Sequence, residues 1–162
     1  MTAPRHVVSD TDIATAAVEH WPNPDGGYYQ AKVMTTIALM ESNGDALALL
    51  MNVPPSQLAG YVDRGLWGIN EGAIRNLVDY DLDPATFIDP DHNAEYAREI
   101  WQWRYDRKLA ETGSTTQALI YAYNGWTTYR RAKSGLPADA EYAIAWKARW
   151  PRAEAAVNEV TP

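Results

Sequence analysis

The chain has 162 residues, 46% hydrophobic and 22% charged, which suits one folded domain with its own core and excludes a disordered chain. A net charge of −7 excludes a dedicated nucleic-acid binder, which needs a basic face for phosphates, and no Lys/Arg block long enough for polybasic membrane attachment is present. The absence of Cys removes disulfides, thiol nucleophiles and thiolate metal sites together.

In chain order, "MTAPRHVVSDTD" has no apolar stretch of the signal-peptide kind, so no Sec signal is expected. The longest apolar run, Ala46 to Met51, is far too short to span a bilayer. Ser9 or Asp10 is placed to cap a first helix with the stripe Ile13, Ala16, Ala17 and His20. "WPNPDGG" (21–27) breaks it. A second helix is predicted from about Tyr28 to Glu41, with Tyr29, Val33, Ile37 and Met40 near helical spacing and Asn43-Gly44 as its stop.

Residues 46–70 read differently. Pro54-Pro55 interrupts, and "GYVDRGLWGIN" (60–70) suits a short hairpin or a Gly-hinged extended loop. Helical pattern resumes over Glu71 to Val78, "DLDPATFIDPDHN" is a loop, and Asp91 to about Leu109 is a long helix. Thr115 or Thr116 is the expected cap of the next helix, which Gly125 stops. After the loop "SGLPAD", Asp139 starts a C-terminal helix that Pro151 bends or restarts. The expected architecture is mainly α: one helical domain over 1–162 with a small extended or β-hairpin insertion. Its C-terminal helix covers about 139–158.

The chemistry concentrates on two carboxylates. Glu41 closes a helix, where the macrodipole disfavours negative charge, and Ile37, Ala38 and Met40 set it in apolar surroundings. Both effects favour the neutral acid that protonation of a leaving oxygen requires. Asp63 lies in the Gly-rich insertion beside Arg64, a setting that favours the ionised form. One protonated acid and one carboxylate is the pairing that breaks glycosidic bonds. The aromatic set is skewed to seven Trp and ten Tyr against one Phe, which suits half-exposed walls as well as an irregular core. His6, His20 and His92 fit no metal spacing, and no Gly-x-Ser-x-Gly elbow or phosphate loop is present. "DYDLD" (79–83) reads as a solvated acidic loop.

"ALMESNGD" followed by "DRGLWGIN" resembles the active-site half of the lysozyme superfamily, especially soluble lytic transglycosylases and lysozyme-like phage domains. "ALIYAYNGW" (118–126) is similar to their Ala-x-Ala-Tyr-Asn-Ala-Gly motif, and "DPDHNAEYAREIW" (89–101) to the Asn-begun helix between the motifs. The motif-bearing core is about 28–130. The resemblance implies that Glu41 is the general acid/base, supported by Ser42, and that the segment from Gly65 through Ile69 to Asn70 presents backbone groups to a glycan. It also implies that Tyr123 approaches the catalytic carboxyl and that Asn124 holds the cleft or the helix end. Trp67, Tyr121 and Trp126 are the candidates to stack on sugars. In animal-type lysozymes an Asp opens the corresponding segment as second carboxylate, and Asp63 keeps that position, leaning toward hydrolysis. The family usually carries Gln where this chain has Gly68, so one side-chain amide facing the cleft is missing.

The function expected on this basis is cleavage of the bond between N-acetylmuramic acid and N-acetylglucosamine in peptidoglycan, by hydrolysis or transglycosylation, with no cofactor and no metal. The expected partner is the glycan strand, with no nucleic acid, no membrane insertion and other virion proteins as further partners. The expected setting is a phage virion, or a host cytoplasm from which the protein reaches the bacterial wall. The alternative is a non-catalytic glycan-binding or structural virion module on the same scaffold.

Overall fold

The computed structural model describes residues 5–51, 62–70, 74, 77, 88–119, 121–123 and 138–162. The Pro54-Pro55 break, most of the helix expected over 71–78, the stop at Gly125 and the loop at 134–137 lie outside the described residues.

Helix α1 (Asp10–His20) starts where Ser9 stays extended and its hydroxyl accepts the Asp12 N–H at 3.1 Å, the ordinary chemistry of an N-cap. Its first turn carries Asp10 and Asp12 and its last turn His20, in the sense the helix dipole favours. Ile13, Ala14, Ala16 and Ala17 form the buried face. Pro22 follows directly, and Trp21 turns into the core, fully buried.

Helix α2 (Tyr29–Ser42) is buried on most of its circumference, from Ala31 to Met40, which makes it the central helix rather than a surface one. No side chain caps it at Tyr28, but the Asn23 side-chain oxygen reaches across the Pro-rich turn to accept the Gln30 N–H at 2.8 Å. The expected stop is observed. Asn43 takes the left-handed conformation at φ 53° and donates its N–H to the Leu39 carbonyl, and Gly44 continues at φ 81°. Gly44 is required there sterically as well, since a Cβ would lie 3.2 Å from the Val8 carbonyl oxygen.

Strands β1 (Leu49–Met51), β2 (Val62–Arg64) and β3 (Ile69–Asn70) form one antiparallel sheet in that order. Asp63 stands opposite Leu50 on one side and Asn70 on the other. The expected extended insertion is therefore a hairpin with a third strand added.

Helix α3 (Pro90–Thr112) is capped by Asp89, whose carboxylate accepts the Asp91 N–H, with Pro90 in the first turn. It stops at Gly113, φ 65°, whose N–H returns to the Leu109 carbonyl at 2.7 Å. His92 pairs with Asp89 and His20 with Asp91, so two of the three histidines tie helix ends together. The next helical stretch, 115–119, is capped by Ser114 rather than Thr115 or Thr116. Ser114 Oγ accepts the Gln117 N–H at 3.3 Å, one residue earlier than expected.

Helix α4 (Ala138–Val160) runs through Pro151 without restarting, which leaves a bend as the open half of the expectation. Pro151 and Lys147, whose carbonyl loses its helical partner to the proline, are both exposed, so water satisfies what the ring removes. α2 packs on α1 and α4, α1 packs also on α3, and β3 rests on α3. Surface pairs add to this packing: Arg152 grips Asp10 with two bonds of 2.8 and 2.9 Å, and Lys32 meets Glu154 at 3.3 Å. The architecture is mainly helical with one small sheet, as expected.

Candidate active site

Glu41 occupies the last turn of α2, half-buried between buried neighbours. Ser42 beside it is buried. Its hydroxyl donates to the Ala38 carbonyl at 2.9 Å and accepts the Gly44 N–H at 3.1 Å. Its hydroxyl is committed to closing the helix end, and it supports Glu41 by fixing that turn.

The turn after β2 comes back onto Glu41. Gly68 has φ 57°, and the three atoms nearest a Cβ built on it all belong to Glu41: Oε2 at 3.5 Å, Cβ and Cγ at 3.8 Å. The residue where related domains carry Gln is thus a bare backbone surface laid along the Glu41 side chain. Gly65 begins this turn at φ 74°, with its N–H on the Ala48 carbonyl at 2.9 Å, and Gly68 N–H returns to the Gly65 carbonyl at 3.3 Å.

Trp67 anchors the turn. It is fully buried, its ring packs on Trp21 at 5.6 Å between centroids, and its indole N–H donates to the Met34 carbonyl at 2.9 Å. Its backbone N–H donates to Asn93 Oδ1 at 3.0 Å. Trp67 is therefore a core residue and offers no ring face to a sugar, which removes it from the stacking candidates. The N–H groups of Gly65, Trp67 and Gly68 are likewise committed inside the protein, so the turn does not present those donors to a glycan. Ile69 is buried, while Asn70 is half-buried at the end of β3.

The sheet sets Asp63 on its central strand, two residues before Gly65 and in register with Asn70. Tyr121 is 37% exposed, with the Lys108 ammonium 5.4 Å from its ring centroid. Tyr123 is half-buried in an aromatic nest, edge-on to Trp101 at 5.7 Å, while Trp101 stacks on Tyr105 at 5.2 Å. Burial pushes the Tyr123 phenol well above its ordinary range, outweighing the nearby Arg98 cation, so it stays neutral. Its buried hydroxyl makes no well-formed hydrogen bond among the described residues, Glu41 included, and the Trp101 side chain is a polar neighbour there. Asn124 and Trp126 lie outside the described residues. Among the described residues no three His, Asp or Glu side chains gather as a metal site.

Asn93 is the asparagine of the segment that resembles the family's Asn-begun helix, although the sequence assigns it no role of its own. It lies in the first turns of α3, on the same buried stripe as Ala94, Ala97, Ile100 and Trp101, and is itself fully buried. A polar residue on a core stripe was the signal available.

A buried helix ending in a half-buried acid, covered by a glycine turn from a small sheet, is the arrangement of a lysozyme-like domain. The family model named "Transglycosylase SLT domain" matches residues 26–143, which takes in α2, the sheet, α3 and the start of α4, and the chain belongs to that family. No curated protein and no solved structure matches. The domain is accordingly of the peptidoglycan-degrading, lytic-transglycosylase class and acts on glycan strands.

Proposed function

We propose that the protein cleaves the bond between N-acetylmuramic acid and N-acetylglucosamine with Glu41 as the single general acid/base, and that residues 1–162 act as one domain. The observation that carries this reading is the position of Glu41 at the closed end of α2 with Gly68 along its side chain. The negative end of α2 and the buried flanks both disfavour a charge on that carboxyl, which keeps a proton available. Glu41 protonates the glycosidic oxygen as its bond to C1 breaks. The 6-hydroxyl oxygen of the same sugar then bonds to C1 and returns its proton to the Glu41 carboxylate. The products are a free 4-hydroxyl and a 1,6-anhydro end, with Glu41 reset.

Asp63 supports a second outcome. It sits on the strand that feeds the Gly65–Gly68 turn, and a two-carboxylate site, in which water attacks C1 and leaves a reducing end, needs the two carboxyl groups about 5–10 Å apart. Asn70, Tyr121, Tyr123 and Asn124 remain the proposed glycan contacts. The setting we propose, a phage-borne domain acting at the bacterial wall, follows the likeness of the motifs to phage lysozyme-like domains.

The test is muropeptide release from purified walls, read by mass spectrometry. Glu41→Gln should lower it by about 10²–10⁴-fold with the fold retained. Wild-type release by that variant overturns the assignment. Anhydro ends identify transglycosylation and reducing ends hydrolysis, whereas binding without any product favours a non-catalytic module.

A further inference from the structure

We propose that Asn93 is a positioning residue for Glu41, acting through the backbone of the turn that covers it; this rests on the reading of Glu41 given above. Three observations connect the two residues. Asn93 Oδ1 accepts the Trp67 N–H at 3.0 Å, and the next residue, Gly68, lies along the Glu41 side chain. The Trp67 indole N–H is tied to the Met34 carbonyl, seven residues before Glu41 on α2, about two helical turns and so on the same face. The turn is thereby held at Trp67 by two elements, α3 through Asn93 and α2 through Met34, and the residue that follows is the glycine laid against the acid.

The side chain of Asn93 argues against a role in stability alone. It is fully buried, and its Nδ2 has no hydrogen-bond partner. A core stripe of Ala and Ile would be served better by an apolar residue than by an amide with one end unsatisfied. What the amide supplies is an acceptor at one fixed point, for a backbone N–H that has no strand partner. Misplacement of a reacting group by about 1 Å costs on the order of 100-fold in rate, so a clamp on the wall of Glu41 acts on turnover more than on substrate binding.

The experiment compares Asn93→Leu, which removes the acceptor at similar volume, with Asn93→Asp, which keeps an oxygen at the same place. Soluble peptidoglycan oligosaccharides are the substrate, with Glu41→Gln as control. Circular dichroism and melting report the fold, and hydrogen exchange at the Trp67 amide reads the clamp without any need for activity. Asn93→Leu should fold, exchange the Trp67 amide at least tenfold faster, and lose at least tenfold in kcat with KM within threefold. Asn93→Asp should keep kcat within threefold of the unmutated protein. Asn93→Ser, too short to reach the Trp67 N–H, carries the test if the Leu variant does not fold. The proposal is overturned if the acceptor-less variant keeps its turnover or its Trp67 protection, or if the Asp variant is as impaired as the Leu variant. Full activity in Glu41→Gln removes the Glu41 reading and the positioning role together. A dead Glu41→Gln beside an active Asn93→Leu removes only the positioning role.

Discussion

The end of α2 and the nest around Tyr123 both hold buried polar groups, yet they are built differently. At the helix end the polar groups answer one another: Ser42 serves Ala38 and Gly44, Asn43 serves Leu39, and Asp45 accepts N–H groups from His6 and Leu47 as well as the Arg5 guanidinium. In the nest, Arg98 Nη1, Trp101 Nε1 and Tyr123 Oη are buried without a well-formed hydrogen bond among the described residues, Trp101 and Tyr123 having at most a weak contact with each other. A satisfied network holds one geometry, because any movement forfeits bonds already made. An unsatisfied one gains by movement, since each orphaned group recovers about 1–3 kcal/mol when it meets a partner. The acid is held on the first kind of structure, and the tyrosine expected to approach it sits on the second.

The sharpest way to break this contrast is Trp67→Ala, which removes a fully buried ring and its bond to Met34. It should destabilise by about 3–5 kcal/mol in denaturant melts. A loss under about 1 kcal/mol would mean that the covering turn is not clamped as described.

Asp45→Asn comes next, with an expected loss of about 1 kcal/mol at neutral pH. Burial works against the Asp45 carboxylate, but the His6 and Leu47 N–H groups and Arg5 outweigh it and hold its pKa below the ordinary value. A carboxyl lowered by folding contributes stability above its unfolded pKa and loses it as pH falls through the folded value, so this contribution fades below about pH 4. Melting curves of the Asn variant should therefore depend less on pH in that range, and an unchanged acid limb would contradict the assignment.

Tyr123→Phe should have the smallest effect and the opposite sign. Removing a buried hydroxyl with no well-formed hydrogen bond leaves stability unchanged or raises it by up to about 1 kcal/mol. If turnover falls while the melting temperature holds, the hydroxyl meets a partner only when substrate is bound. If stability falls instead, the nest is satisfied after all and the contrast between the two regions disappears.

Much of the scaffold was legible because its signals are local. Ser9 and Asn43-Gly44 mark helix ends through contacts within four residues, and the stripe of α1 maps onto its buried face. At Pro151 the sequence left open a bend or a restart, because whether the helix continues depends on the exposure of the freed Lys147 turn, which is not a local property. The turn over Glu41 was hidden for the same reason. Trp67 bonds Asn93 and Met34 across 26 and 33 residues, and an indole in a Gly-rich segment reads equally as a sugar platform or a core anchor. The order of motifs located the acid, whereas nothing in that order revealed what covers it.

Gly68 also constrains how this chain can change. At φ 57° its backbone lies where a side chain costs about 1–2 kcal/mol, and the space a Cβ would enter is already lined by Glu41. A glutamine restored at this position would meet a turn shaped for glycine, with Trp67 holding that shape from both sides. A side-chain amide at this position is therefore unfavourable by itself, and glycan recognition is expected to vary elsewhere in the cleft before it varies here.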